Sequence, residues 1–173
     1  MAISLFDLSV NSYQRTLGAI SNCLDRGLAH FQKSSIEPDE IVKTRLISDM
    51  QPFNFQVQAI THHSVGAIHA LKGGTYSPVE DIPTLSYTQL QKAILDAQET
   101  LRLVQAEEIN GLPDQEVIFR FRDIVIPFTA ENFVLSFSLP SLHFHATTTY
   151  DILRMNGVQI GKVDYLGQMA CKA

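Results

Sequence analysis

The sequence predicts an all-α fold, a four-helix bundle with a short β-hairpin between helices three and four. Three segments place apolar residues at alternating spacings of three and four, which is typical of helices packed side by side. A fourth segment, residues 127–157, is apolar on nearly all sides and contains Pro140 near its middle. Only one short region alternates as strands do. Together these patterns favour a single domain over residues 1–173.

The first helix is indicated by the longest of the three apolar stripes. Its members are Phe6, Val10, Tyr13, Leu17, Ile20, Leu24, Gly27 and Phe31. The second stripe runs over residues 53–71, and the glycines at 73 and 74 are expected to end that helix. The third helix begins at a capping box, in which Ser86 and Gln89 satisfy each other's backbone N–H groups. Residues 116–121 and 124–126 then alternate around Arg122-Asp123, which predicts the hairpin.

The predicted fourth helix carries a polar band within apolar surroundings. The band follows Val134, Ser138, Ser141, His145, Thr148 and Ile152, and Thr149 flanks it. Because a helix that is apolar on nearly all sides is buried, these polar groups should lie inside the protein and require partners. Pro140 lacks an N–H and clashes with the Ser136 carbonyl, so a kink is expected one turn before His145.

Two interpretations of this band remain open. In the first, the hydroxyl groups only bond back to helix carbonyls and His145 meets a buried carbonyl. In the second, the band lines a ligand or metal site. His63 lies beside the apolar stripe of the second helix, and neighbouring helices in a bundle are about 8–10 Å apart. The second interpretation therefore predicts that His63 and His145 approach each other and line one pocket with Ser141 and Thr149.

Composition excludes several classes of function. A net charge of −5 without a cluster of Lys and Arg argues against nucleic-acid binding and against anionic membranes. No apolar run is long enough to span a membrane, and the first residues lack the pattern of a signal peptide. Cys23 and Cys171 show neither metal-binding nor redox spacing. A cytoplasmic protein is the expectation.

Short motifs are distributed over nearly the whole chain. They are Ser4–Val10, Arg45–Met50, Gln56-Val-Gln58 with His63, Leu139–Val158 and Gly161–Gly167. In these motifs the sequence resembles the DinB/YfiT-like superfamily of metalloenzymes, and most of all one uncharacterised branch that is described only as a domain of unknown function. The resemblance implies a DinB-like bundle that forms homodimers.

The resemblance also implies a metal site, which this sequence matches only in part. Metal-binding members of the superfamily use one histidine on helix two and a His-x-x-x-His pair on helix four. His63 and His145 fall on two of these positions, and Ser141 falls on the third. A neutral hydroxyl is a poor ligand for Zn or Ni beside imidazole. His143 points away from Ser141 and His145 on a helix, and His62 could contribute only if the backbone shifts.

Two functions from different classes follow. In one, the chain is a metal-dependent hydrolase or thiol-linked transferase with His63 and His145 as ligands of a divalent metal. In the other, it keeps a degenerate metal site as a pocket and binds a small molecule, or it is a dimeric structural protein. The missing third ligand favours the second class.

Overall fold

The computed structural model describes residues 3–169 and residue 171. This part of the chain contains a series of α-helices and three short strands. The helices are α1 (Ser12–Lys33), α2 (Phe53–Thr61), α3 (Ala67–Gly73), α4 (Tyr87–Arg102), α5 (Ala106–Asn110), α6 (Ala130–Phe133), α7 (Leu139–Met155) and α8 (Lys162–Leu166). The strands are β1 (Thr75–Tyr76), β2 (Glu116–Phe121) and β3 (Ile124–Thr129).

Several of these helices are joined by turns of π-helix. The π turns span Asp7–Asn11 before α1, His62–Gly66 between α2 and α3, and Val134–Ser138 between α6 and α7. A short 3-10 helix, Pro38–Lys43, lies between α1 and α2. The predicted mostly helical fold with a small sheet is confirmed, but the helical part is divided into more segments than the four helices that the sequence predicts.

The core lies where α1, α2, α4 and α7 meet. The residues of the three predicted stripes are almost all fully buried, including Tyr13, Phe53 and Leu90. Tyr87 crosses from α4 to α1, where its hydroxyl donates to the Leu24 carbonyl at 2.8 Å. Only glycine fits opposite it, because a Cβ on Gly27 would lie 2.3 Å from the Tyr87 oxygen.

The sheet has the order β1-β2-β3. Residues 116–121 and 124–126, which alternate in the sequence, lie in β2 and β3, and these strands pair antiparallel from Glu116↔Thr129 to Phe121↔Ile124. The sequence did not predict β1, which pairs parallel to β2 through Thr75↔Ile118 and Tyr76↔Phe119. Gly74 ends the preceding helix with a φ of 75°, a conformation that glycine adopts readily, and so turns the chain into β1.

The predicted kink at Pro140 coincides with a change of helix type. The π turn Val134–Ser138 ends two residues before the proline, which has no N–H to give to the Ser136 carbonyl. A π turn contains more residues than an α turn, so the apolar stripe before it is not continued by the stripe after it. Phe133 is therefore fully buried, whereas Phe144 is 55% exposed, which corrects the expectation that this helix is buried on nearly all sides.

Residues 44–52, which contain one of the short motifs, form no regular helix. The side chain of Arg45 instead turns onto the main-chain carbonyl of Met50. None of the helices in the described residues combines the length and the apolar character that a membrane crossing requires.

Candidate functional site

The candidate site lies where α2 and the π turn after it run antiparallel to α7. Two contacts establish this direction: Gln56 on α2 meets His145 on α7, and the His63 carbonyl meets Ser138 at the start of α7. Because the two segments run in opposite directions, residue 56 lies opposite residue 145 and residue 63 lies opposite residue 138. This arrangement brings His63 and His145 to the same place from two helices.

The two imidazoles form a close pair, here called the histidine pair. The ring centroids of His63 and His145 are 5.3 Å apart, and the ring planes differ by 17°. Aromatic rings border the pair on several sides. Tyr76 and Phe137 lie 5.6 and 5.5 Å from the His63 ring, and Phe55 and Phe144 lie 5.8 and 5.3 Å from the His145 ring.

Gln56 fixes the tautomer of His145. The Nδ1 of His145 lies 2.8 Å from the side-chain Oε1 of Gln56, and the amide nitrogen of Gln56 donates to the Gln51 carbonyl at 2.9 Å. Because an amide oxygen can only accept, Nδ1 of His145 must carry the proton. The neutral ring therefore presents an unprotonated Nε2, which is a hydrogen-bond acceptor.

Tyr76 gives His63 the opposite tautomer. The hydroxyl of Tyr76, on β1, lies 3.0 Å from Nδ1 of His63. Burial raises the pKa of the Tyr76 phenol above its ordinary value, so the phenol keeps its proton. If Nδ1 carried the ring proton, the buried phenol proton would lack this acceptor, so the phenol donates to Nδ1. His63 then presents a protonated Nε2, which is a hydrogen-bond donor.

Both rings are neutral at neutral pH. Burial, together with the smaller effects of the adjacent His145 and His62, lowers the pKa of His63 to about 3. Burial also lowers the pKa of His145 to about 4. Neither hydrogen-bond partner, the Tyr76 phenol or the Gln56 amide, is an anion that would stabilise a charged ring. The histidine pair therefore combines one donor and one acceptor without net charge.

Two π turns meet at this site. His63 belongs to the turn His62–Gly66, and Ser138 ends the turn Val134–Ser138. The Ser138 hydroxyl donates to the His63 carbonyl at 2.7 Å and lies 2.8 Å from the hydroxyl of Tyr13, which donates to it. Insertions of this kind occur frequently at functional sites because they redirect side chains within a helix. Here they link α1, α2 and α7 behind the histidine pair.

The hydroxyl groups of α7 behave differently from one another. Thr148 bonds back to the Phe144 carbonyl at 2.8 Å, as the simpler interpretation expects. Thr149, one turn after His145, is fully buried, and its Oγ1 has no hydrogen-bond partner among the described residues. Ser141 is half-buried one turn before His145. The polar band is therefore only partly satisfied from within the chain.

The other nearby histidines point elsewhere. His62 is 5.9 Å from His63 between ring centroids, but its Nε2 donates to the Ser77 carbonyl at 2.8 Å. His143 is exposed and lies 3.5 Å from the Tyr165 hydroxyl of α8, on the other side of α7. His62 and His143, the two histidines considered as further ligands, therefore both bond to groups outside the histidine pair.

Sequence reasoning assigned no role at the site to the two residues that orient the pair, although Gln56 belongs to one of the short motifs. Gln56 is seven residues before His63, and this spacing places both residues on one face of a helix, which is a signal that could have identified it. Tyr76 lies on a two-residue strand, and no pattern in the sequence connects it to His63.

The donor set does not fit the three-histidine metal site of the superfamily. Within residues 3–169 and 171, no group of three or more His, Cys, Asp or Glu side chains is placed to hold a metal ion. His63 would also have to change its tautomer before its Nε2 could bind a metal, because a ligating nitrogen must be unprotonated. The third position is the hydroxyl of Ser141, a weak ligand beside imidazole.

Comparison with known proteins places the chain in a family. A crystal structure of a DinB family member from Shewanella denitrificans matches 98% of this chain and 95% of its own, with 27% sequence identity and a TM-score of 0.84. This similarity confirms the resemblance to DinB-like proteins. Comparison with curated proteins gives no match. A family model matches residues 5–166, and the chain therefore belongs to the family described as the domain of unknown function DUF1993.

Proposed function

We propose that this chain is a single-domain, DinB-like four-helix-bundle protein that binds a small molecule at a degenerate metal site. In this proposal α1, α2, α4 and α7 are the four helices of the bundle, and His63, Ser141, His145 and Thr149 line the pocket. The observation that carries the proposal is the pair of opposite tautomers, because one neutral donor beside one neutral acceptor recognises a ligand with the complementary pair. A cytoplasmic location belongs to the same proposal.

The neighbouring side chains favour a particular class of ligand. Both imidazoles are uncharged at neutral pH, so they give no Coulombic attraction for an ion. Phe55, Phe137 and Phe144 supply apolar ring surface. The favoured ligand is therefore a small neutral molecule with an apolar or aromatic body and an adjacent acceptor and donor, as in an amide. The Thr149 hydroxyl, which has no partner within the described part of the chain, supports a further polar contact, since an unsatisfied buried hydroxyl costs about 1–3 kcal/mol.

A second candidate is the metal-dependent hydrolase or thiol-linked transferase with a His-ligated Zn or Ni. One observation favours it: both rings are neutral at pH 7, and His145 donates its Nδ1–H to Gln56 and presents an unprotonated Nε2, as many metal-ligating histidines do. The first candidate is preferred because only His145 presents an unprotonated Nε2 and Ser141 replaces the third histidine.

Benzamide, a neutral amide with an aromatic body, is the probe for this proposal. Protein with ¹⁵N-labelled histidine and no histidine tag is titrated with benzamide, and the ring nitrogens are followed by NMR. We expect saturable shifts of the Nε2 signals of His63 and His145. His145→Ala should weaken binding about tenfold or more, the loss of one buried hydrogen bond and its ring contact. The control His143→Ala changes an exposed histidine on the same helix and should bind normally.

The outcomes separate the two candidates. Absence of any benzamide-dependent shift at the histidine pair would refute the small-molecule proposal. Stoichiometric Zn²⁺ or Ni²⁺ in the same tag-free protein, lost in His145→Ala and kept in His143→Ala, would establish the metal-dependent candidate instead. Circular dichroism of each variant shows whether the fold is retained, so that a loss of binding is not confused with unfolding.

A further inference from the structure

A cleft lies on a different part of the molecule from the histidine pair. It has a volume of about 770 Å³ and is lined by α1, by Gln98 of α4 and by the segment from Val163 to Met169. None of the residues that line it belongs to α2 or α7. It is therefore independent of the histidine pair, and its size is that of a small-molecule site.

The segment from Val163 to Met169, which forms one wall of this cleft, contacts α1 at two points. Arg26 of α1 forms an ion pair with Asp164 of α8, and its Nη2 donates to the Gln159 carbonyl at 2.5 Å. Gly167, with a φ of 64°, approaches α1 so closely that a Cβ there would lie 3.0 Å from the Ala19 Cβ. The chain between these two points forms a wall of the cleft, so the cleft is held open by defined contacts rather than by an unanchored loop.

Gly18 keeps the floor of the cleft empty. A glycine within a helix weakens it relative to alanine, so a packing or functional reason is expected. In the same helix Gly27 has a packing reason, because the Tyr87 hydroxyl occupies the place of its side chain. Gly18 has none: apart from its own stretch of helix, a Cβ there would meet no atom of the described residues within 4 Å, and the residue lines the cleft. The absent side chain leaves room for something that is not part of the described chain.

The residues that line this space carry donors that are not matched within the described part of the chain. The Nε2 of Gln98 is buried and has no hydrogen-bond partner among the described residues. Arg15 makes no ion pair within that part of the chain, whereas the carboxylate of Asp164 is already held by Arg26. A buried amide donor without a partner is unfavourable, and a ligand carbonyl would remove that penalty once the Gln98 side chain turns towards the cleft. A ligand carboxylate would pair with the Arg15 guanidinium.

Apolar side chains stand at the rim of the same cleft. Val163 is 73% exposed and Met169 is 57% exposed, and both line the space beside the polar groups. Exposed apolar residues next to unmatched donors favour a ligand that carries both kinds of surface.

We propose that this cleft binds a small organic carboxylate that also carries a carbonyl acceptor and an apolar side chain, the chemistry of an N-acyl amino acid. The carboxylate meets Arg15, the carbonyl accepts from the Gln98 amide, and the apolar side chain lies over Gly18 against Val163 and Met169.

N-acetyl-L-leucine is the probe for this proposal, and N-acetyl-leucinamide, which lacks the carboxylate, is its matched control. In ¹⁵N NMR titrations of the full chain we expect N-acetyl-leucine to shift the Gly18 backbone amide and the Gln98 side-chain amide, with a dissociation constant in the millimolar range or tighter. The amide analogue and the Arg15→Gln variant should each bind about tenfold or more weakly, because each removes the charge-assisted contact.

Substitutions at position 18 test whether the ligand occupies the space over Gly18. Gly18→Leu fills the cleft and should abolish the shift at Gln98, whereas Gly18→Ala adds one methyl group to the same space and should weaken binding to a smaller degree. Gln98→Met keeps the size of the side chain without its donor, and it should weaken binding even if Gly18→Leu does not fold. His145→Ala should leave binding unchanged, which separates this site from the histidine pair. No shift in the unmodified chain, or equal binding by Gly18→Leu, would overturn the proposal.

Discussion

His63 and His145 stack at 5.3 Å although neither ring has an acidic partner to hold it in place. Each ring is oriented instead by a neutral side chain that bonds its Nδ1, Tyr76 for His63 and Gln56 for His145. A stack of this kind is stable only while both imidazoles are uncharged, because two cations at this distance in a partly buried site would repel each other. The arrangement therefore makes the stability of the protein sensitive to acid.

The first prediction concerns the dependence of stability on pH. The ordinary pKa of histidine in the unfolded chain is 6.5, whereas burial lowers the pKa to about 3 for His63 and about 4 for His145. Below pH 6.5 the unfolded chain therefore binds more protons than the folded chain, so the free energy of unfolding decreases as the pH falls from 6.5 towards 3. We expect the pair to contribute a decrease on the order of 1–3 kcal/mol across this interval.

Urea unfolding of the wild-type chain and of the double variant His63→Gln, His145→Gln at several pH values measures this contribution. Carboxyl groups titrate in the same interval in both proteins, so the difference between the two slopes isolates the histidines. Equal slopes for the wild type and the double variant would contradict the prediction.

The second prediction concerns Tyr76. Tyr76→Phe removes the hydroxyl that donates to Nδ1 of His63 at 3.0 Å. Without this donor the ring no longer gains by keeping its proton on Nε2, so the population of the two neutral tautomers should shift towards Nδ1–H. The ¹⁵N chemical shifts of the His63 ring report this change directly. The free energy of unfolding should fall by about 1 kcal/mol, the typical net contribution of such a bond.

Tyr150→Phe is the control for this measurement. Tyr150 is half-buried against Tyr165 on the side of α7 that faces α8, and its hydroxyl has no hydrogen bond to the histidine pair. The His63 tautomer should be unchanged in this variant. A wild-type spectrum that already shows His63 protonated on Nδ1 would show that the donor direction inferred here is wrong.

Much of the fold follows from spacing in the sequence. The stripe positions Tyr13 and Leu17 on α1, and Val57 and Ile60 on α2, are all fully buried, because alternation by three and four places them on one helical face. The same reasoning placed His63 beside a buried stripe. Long periodic segments are predictable because many residues contribute to one pattern.

The details of the candidate site depend on interactions that leave little trace in the sequence. A π turn changes a few backbone hydrogen bonds, so the turn His62–Gly66 has no compositional signal that separates it from α-helix. Tyr76 reaches His63 only because β1 pairs with β2, a contact between residues about forty positions apart. The exposure of Phe144 likewise follows from the π turn before Pro140 and not from the local pattern.

The third prediction concerns the missing metal ligand. Ser141 occupies the position at which metal-binding members of the superfamily have a histidine, one helical turn from His145. Ser141→His would place two imidazoles four residues apart on one face of α7, opposite His63. We expect Zn²⁺ to bind this variant at least about tenfold more tightly than the wild type, since a third imidazole completes the set.

Competition with a chromophoric chelator, on protein without a histidine tag, measures this affinity. Ser141→Ala removes the hydroxyl without adding a ligand and should bind Zn²⁺ as weakly as the wild type. If Ser141→His does not bind Zn²⁺ more tightly than the wild type, the tautomer of His63 is the stronger barrier to metal binding. The double variant Ser141→His, Tyr76→Phe should then bind Zn²⁺. Tight Zn²⁺ binding by the wild type would contradict the interpretation of the site as degenerate.

The last prediction is a homodimer. Apolar side chains are exposed beside the candidate site, on α7 and on the π turn before it: Phe144 is 55% exposed and Leu135 is 45% exposed. On β3, an edge strand of the sheet, Ile124 and Val125 are 51% and 52% exposed. Exposed apolar residues and an unpaired strand edge are features that association between copies covers.

Light scattering should therefore give twice the chain mass of 19.3 kDa at micromolar concentration. Phe144→Glu should shift the mass towards the monomer if this face is the interface, whereas Leu103→Glu, at a 64% exposed position just after α4, should not. A monomer mass for the wild-type chain would refute the dimer, and a dimer that persists in Phe144→Glu would place the interface on another surface.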